Sequence, residues 1–399
     1  MRQLIAALLV CFLGCACATG EERDGGAPHD AGPVADSGSQ LDSGNEARDG
    51  GEDAGGSLDS GQPADPHVCD RVVAVDGGRF CVSVQDVTDE FFRLAPDAAY
   101  VAVRGNRGDR AFVVAFAVSS DDGGTVERTR AGKWDAKWRV QYFPADPRAL
   151  SPSETDEVGN LCDCESVGSP QTGYSCRPRV WLSDGGQYVS TGMGPCVSMS
   201  GDTWASNSGY TWLHSRSSQT RSVPRDGGLG WDRVHVAQDG IVLSGYTSSG
   251  YESVVLSIDG GYIRTLAASQ GSAAEAVRVS RSGMIVGWIH ESLAFARPVV
   301  WPRLGAEGPF EIAIPNPSNA SRFAYAGVAA DEGFCGSQDQ HAVFYLGVGA
   351  PPLVDEDLGL ATSNCAAALI GGRFLLMEEG GGPQPLTLLR LSRCADNCD

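Results

Sequence analysis

The chain reads as an all-β protein: a β-propeller of about seven blades, with six to eight allowed by the spacing, behind a short leader and a disordered acidic tether. Three observations predict it. Arg177-Pro178-Arg179-Val180-Trp181 recurs as Arg297-Pro298-Val299-Val300-Trp301, and looser copies start at Arg110, Ser208, Tyr251, His341 and Pro385. The seven starts are 67, 31, 43, 46, 44 and 44 residues apart, and a period of about 40–50 residues marks propeller blades or paired-helix arrays. The copies are β-branched and aromatic with Gly-rich turns between them, which selects strands over helices.

The elements follow in chain order. After Arg2, Leu4 to Leu13 is almost wholly apolar, too short for a permanent membrane span and right for a signal peptide. Its end, Phe12-Leu13-Gly14-Cys15, resembles the bacterial lipobox, which implies cleavage before Cys15 and lipidation of its thiol; Phe12 departs from the usual Leu or Val. Cys17 is the second choice for the lipid, and Ala16-Cys17-Ala18 fits an ordinary secretory cleavage site that would release a soluble protein. Residue 16 is Ala rather than the Asp that favours inner-membrane retention in lipoproteins of this resemblance, so the expected location is the outer membrane or cell surface.

Residues 16–68 form the tether. A D-x-G unit recurs from Asp24 to Asp59, no aromatic residue occurs over 20–66, and residues 18–68 carry a net charge of −10. Such a segment buries too little apolar area to offset its ordering entropy, and its acids repel one another. As a flexible chain it spans ~40 Å on average.

Residues 69–399 form the propeller. Leu94–Gly105, Val234–Gly245, Val277–Gly287 and Val328–Gly336 each read as strand, polar turn, apolar strand, ahead of the repeat copies. Asp-Gly and Gly-Gly pairs in Ser119–Thr125, Ser183–Gly186 and Ser257–Gly261 supply the positive φ of tight turns. Val72–Val75 and Phe80–Val84 form a hairpin and Leu386–Leu391 the last strand; pairing these ends in one blade would close the ring and remove an exposed edge.

The units beginning at Val279 (VSRSGMIVGW) and Val328, the latter with His341-Ala342-Val343-Phe344-Tyr345 and Asp357-Leu358-Gly359, resemble the HAF repeat of bacterial extracellular proteins. That resemblance implies a propeller and says little of function. Ser119-x-Asp121-x-Gly123-x-Thr125 is similar to the Asp-box turn of sialidase-like propellers, where its role is structural, with Val126 in place of Trp.

Ten cysteines lie beyond the leader: Cys69, Cys81, Cys162, Cys164, Cys176, Cys196, Cys335, Cys365, Cys394 and Cys398. An even number in an exported chain reads as disulfides. The terminal four allow either a bridge between the chain ends or two local bridges, Cys69–Cys81 and Cys394–Cys398. No zinc spacing, nucleophile elbow or phosphate loop occurs, so no catalytic residue, metal or cofactor is assigned. His214, His235, His290 and His341 lie in or beside strands, where isolated structural roles are favoured over convergence on a metal. With a net charge of −20 and lysines only at Lys133 and Lys137, the chain lacks the basic surface that nucleic acid requires.

The 67-residue gap points to an insert over 127–160 as the place for ligand contact, with Trp134, Trp138 and Tyr142 as stacking residues for a glycan or protein ligand; a degenerate extra blade or a packed excursion is the bland alternative. The expected function is a lipid-anchored, non-enzymatic binding or scaffold module. The alternative is a sialidase-like glycoside hydrolase, whose opening Arg motif is similar to Phe92-Arg93-Leu94-Ala95-Pro96 except for one extra residue.

Overall fold

In the computed structural model, residues 69–394 are described apart from 76–77, 94, 107–109, 120–123, 144–152, 157, 170–172, 190–193, 209, 216–219, 224–230, 248–249, 267–272, 293–294, 307 and 379–384. The leader, Cys15, the tether, Asp121, Gly123 and Cys398 fall outside the described residues.

The described strands form seven antiparallel sheets, the blades of a propeller. Blade 1 is Ala98–Asn106, Ala111–Ser119, Thr125–Trp134 and Val140–Tyr142; blade 2 is Glu154–Thr155, Leu161–Ser169, Gly173–Trp181 and Gln187–Val189. Blade 3 is Cys196–Ser200, Thr203–Ser208, Tyr210–Ser215 and Arg221–Val223; blade 4 is Arg233–Val236, Gly240–Thr247, Gly250–Ser257 and Tyr262–Thr265. Blade 5 is Ala273–Val279, Ile285–Ser292, Phe295–Trp301 and Phe310–Glu311; blade 6 is Ala324–Val328, Phe334–Gln338, His341–Tyr345 and Leu353–Val354. First strands of most successive blades touch one another, so they line the central channel.

Blade 7 closes the ring. It takes Ser363–Leu369, Arg373–Glu378 and Leu386–Arg393 from the C-terminal end, then Gly78–Asp86 and Arg71–Val75 from the N-terminal end. The junction runs in register from Phe80 opposite Arg393 to Asp86 opposite Thr387. The closure is made by strand pairing and not by a covalent clasp, because Cys69 is bonded to Cys81. Cys394 is also disulfide-bonded, and its backbone N–H donates to the Arg79 carbonyl.

The apolar core is divided among the seams. Separate buried clusters lie between each pair of neighbouring blades, from Val113, Ala131, Leu161 and Trp181 between blades 1 and 2 to the large cluster joining blades 7 and 1. A strand in the middle of a blade therefore sends alternate residues into two seams. In Ala111–Ser119, Val113 enters one and Val114 the other, which is why every residue but the last is buried.

That double burial corrects the phase of the repeat. Six of the seven copies fall on or at the start of third strands, but the Arg110 copy falls on the second strand of blade 1. The true third-strand copy is Arg130-Ala131-Gly132-Lys133-Trp134, 47 residues before the Arg177 copy. Leu94–Gly105 is accordingly not a hairpin: Thr88–Phe92 is a short helix, and one strand, Ala98–Asn106, follows.

The inner strands of blades 1, 3, 5, 6 and 7 share a kink. Each carries an extra residue relative to its partner, at Ala99, Val197, Val277, Ala326 and Ala366, and blade 1 carries a second at residue 104. Such bulges bend a strand and raise its twist.

Candidate functional site at the channel mouth

The predicted insert is not an insert. Trp134 (1% exposed) and Trp138 (6% exposed) belong to the buried cluster between blades 7 and 1, and Tyr142 packs against it. Trp134 packs edge-on against Phe91 and Phe112 at 5.7 and 5.9 Å. Trp138 lies between the Arg373 guanidinium, 3.9 Å from its ring centre, and that of Arg110 at 4.8 Å. The Tyr142 hydroxyl donates to the Phe91 carbonyl at 3.2 Å, and burial pushes its pKa up. These aromatics hold the ring shut at its closing seam and present no exposed stacking surface there. Arg93 follows the short helix, is exposed and acts on Tyr142 at the outer strand of blade 1, away from the channel.

The four histidines stay apart. His214, on the third strand of blade 3, hydrogen-bonds Ser206 and Thr220, each at 3.0 Å. His341, on blade 6, bonds Asp355 Oδ1 at 2.8 Å, and His235 lies on the inner strand of blade 4. No group of metal-ligating side chains occurs among the described residues. Asp355 is fully buried and also accepts from the backbone N–H of Ala342, Glu356 and Ser363, tying blade 6 to blade 7. These are structural pairings.

His290 differs, because it is one member of a cluster at the rim between blades 4 and 5. Glu275, third residue of the inner strand of blade 5, is nearly buried; a carboxylate there needs partners. It has two: Arg233 Nη1 donates at 2.6 Å from the start of blade 4's inner strand, and His290 Nε2 lies at 3.0 Å. The His290 ring stacks on Tyr251 at 4.6 Å and 21°. Tyr251 in turn meets Tyr246, its cross-strand partner in the Thr247–Gly250 hairpin, edge-on at 5.2 Å. Tyr246 is 50% exposed. The Tyr246 N–H donates to Asp232 Oδ2 at 2.8 Å, which fixes the hairpin against the start of blade 4. Burial, with the neighbouring Glu275 charge, raises the Tyr251 hydroxyl above its ordinary pKa, so it is a neutral donor at physiological pH.

Beside this cluster stands Arg278, at the bulge of the same inner strand, donating to the Ala326 and Val277 carbonyls at 3.3 and 3.2 Å. The surrounding protein, and secondarily the like charge of Arg233, hold its pKa below that of a free guanidinium; Glu154 on blade 2 acts on it in the opposite sense across the channel. The rim thus combines an aromatic run that surfaces at Tyr246, a clamped carboxylate, a neutral phenol and two guanidinium groups. Sequence reading missed it because its members come from five strands of two blades. The only local signal is the Gly245-Tyr246-Thr247 and Gly250-Tyr251 pairing across one hairpin.

No family model matches the chain, and no curated protein matches it. The HAF-repeat resemblance therefore rests on the residues quoted above. Among solved structures the chain is similar to the β-propeller domain of the Trilobed protease from Pyrococcus furiosus, at 9% identity over 76% of this chain and 98% of that one, with a TM-score of 0.49. It is similar to prolyl endopeptidases at 10% identity over 76% of this chain and 48% of theirs, TM-score 0.48. YCF48 bound to a D1 peptide matches at 9% identity over 80% and 97%, TM-score 0.43. At such identities likeness speaks to fold alone, and the seven sheets and their N-to-C closure identify this chain, on its own geometry, as a seven-bladed β-propeller.

Proposed function

We propose that the chain is an exported, lipid-anchored binding protein whose propeller reads glycans at the rim between blades 4 and 5. The observation that carries this reading is the Tyr246–Tyr251–His290 aromatic run backed by Glu275 and Arg233. A sugar has one apolar C–H face and a fringe of hydroxyls. Half-exposed Tyr246, backed by Tyr251, offers that face an aromatic partner, and a carboxylate, guanidinium and phenol offer the hydroxyls both acceptors and donors. The extracytoplasmic part of the reading is supported by the disulfides joining Cys69–Cys81, Cys162–Cys196, Cys164–Cys176 and Cys335–Cys365, since such bonds persist in oxidising compartments. Anchoring through Cys15, with the acidic tether holding the propeller off the membrane, rests on the leader sequence.

A glycan array probed with the chain tests the binding reading. Retained glycans should lose affinity by about tenfold on Tyr251→Ala, the weight of one good stacking contact. No glycan retained, or retention that ignores Tyr246→Ala and Tyr251→Ala alike, rejects it and leaves a scaffold role. Lipid labelling tests the anchor separately: Cys15→Ser should abolish labelling and release the protein from the membrane fraction.

A further inference from the structure

The bulges of blades 3, 5, 6 and 7 lie at nearly one level of the channel. Val197, Val277, Ala326 and Ala366 each stand two or three ladder pairs before the turn to the second strand, the first of those pairs being Ser198–Ala205, Arg278–Val286, Gly327–Cys335 and Ala367–Leu375. Each of the four packs on one side against a seam cluster and is part-exposed on the other. On an innermost strand the open side is the channel. At these positions the channel wall is therefore a band of small apolar side chains.

One cation stands in that band. Arg278 follows the Val277 bulge and is exposed, on a strand whose other residues are buried or part-buried. Its guanidinium is held between two bulges: Nε donates to the Ala326 carbonyl at 3.3 Å and Nη1 to the Val277 carbonyl at 3.2 Å. A guanidinium has five N–H donors, so these bonds leave three unspent, including both on Nη2.

Its charge is not met at contact. The two carbonyls bring dipoles and no charge, and no carboxylate among the described residues is ion-paired with Arg278. Arg233 is different, because Glu275 answers it at 2.6 Å. A cation enclosed by protein costs free energy unless an opposite charge pairs with it. The surrounding protein, and then the like charge of Arg233, hold the Arg278 pKa down, and Glu154 opposes them only from across the channel. A bound anion would act in the same sense as Glu154, at shorter range.

The geometry points to a channel site for a small aliphatic carboxylate, its oxygens on the unspent Arg278 N–H groups and its hydrocarbon body against Val277, Ala326 and Ala366. A carboxylate matches the planar guanidinium with two parallel hydrogen bonds. A single unmet positive charge favours a single negative one; a dianion such as phosphate would set its second charge near Glu154 and Glu275 with nothing to meet it. The apolar band favours a body of a few carbons over a wholly polar anion. The site goes beyond the glycan reading, which rests on Tyr246, Tyr251, His290, Glu275 and Arg233 and makes no use of Arg278.

Ligand-observed NMR titration of the full chain with butyrate, acetate, butyramide and inorganic phosphate tests this without any variant. Butyrate should bind, and butyramide, which keeps the shape and loses the charge, should bind about tenfold more weakly. Acetate, two methylenes shorter, should also be weaker by about tenfold, and phosphate should not displace butyrate. Variants then locate the site. Arg278→Gln should bring butyrate down to the level of butyramide. Ala326→Leu, which fills the band from a bulge, should abolish binding with the circular dichroism spectrum unchanged, and Ala366→Leu does the same from blade 7 if Ala326→Leu fails to fold. Tyr251→Ala should leave butyrate binding as it was. No butyrate bound at millimolar concentration, butyramide bound as well as butyrate, displacement by phosphate, binding that survives a filled band, or loss of butyrate on Tyr251→Ala overturns the proposal. A blank glycan array leaves it untouched.

Discussion

His214 and His341 show how one residue type, placed twice, acts in opposite senses. His214 is 1% exposed and stacked on Trp204 at 5.7 Å, and burial pushes its pKa down to about 4. The unfolded chain, with an ordinary histidine near 6.5, then binds the proton first. Stability is unaffected above neutral pH and falls as pH drops from about 6.5 towards 4, by on the order of 3 kcal/mol at the limit. His214→Gln should flatten that fall, seen as a urea midpoint that changes less between pH 7 and pH 5 than in the parent. An unchanged slope would contradict the assignment. In His341 the hydrogen bond to Asp355 raises the pKa. Its contribution is full below the unfolded value and fades as pH rises through the raised one. Partial exposure of the ring keeps it small.

At the scale of elements, two disulfides occupy equivalent positions. Cys162 on the second strand of blade 2 reaches Cys196 on the inner strand of blade 3, and Cys335 on blade 6 reaches Cys365 on blade 7 in the same way. Each inner-strand cysteine sits just before the bulge of its strand. Their sequence separations, 34 and 30, give nearly equal loop-closure terms of about 3–4 kcal/mol. The seams differ: the blade 2–3 cluster is small, while blades 6 and 7 share a large one. Replacing Cys162 and Cys196 by Ala should therefore lower the melting temperature more than replacing Cys335 and Cys365. Equal losses in the two calorimetric scans would show that the seam packing does not matter.

For the whole molecule, stability depends on joining the chain ends. Blade 7 owes Gly78–Asp86 and Arg71–Val75 to the N-terminus, and without them Leu386–Arg393 would be a bare apolar edge. A chain beginning at residue 88 should associate or precipitate and lose its single cooperative melt, as read by size-exclusion chromatography and calorimetry. A monomer with an unchanged melt would mean that the C-terminal strands alone close the ring. The Cys69–Cys81 bridge lies within the N-terminal strand pair, so its reduction should leave closure intact.

The propeller, a blade number between six and eight, and the N-to-C closure were legible in the chain because turn chemistry and apolar periodicity are local properties, repeated about every 44 residues from Arg297 to Pro385; only the structure fixed the number at seven. Trp181 and Trp301, which end the two best-matched copies of the repeat, are both core. Periodicity failed at blade 1, where the second strand, buried on both faces, looks more like a repeat core than the charged third strand that ends in Trp134. It was silent on the rim cluster. Arg233 and Glu275 meet across 42 residues, but whether two side chains one repeat apart face each other depends on pleat parity and on the bulge in Ala273–Val279. Cysteine pairing was undecided for the same reason. Local pattern determined which segments become strands and in what order; the angle between blades, present only once the ring closes, decided which side chains meet.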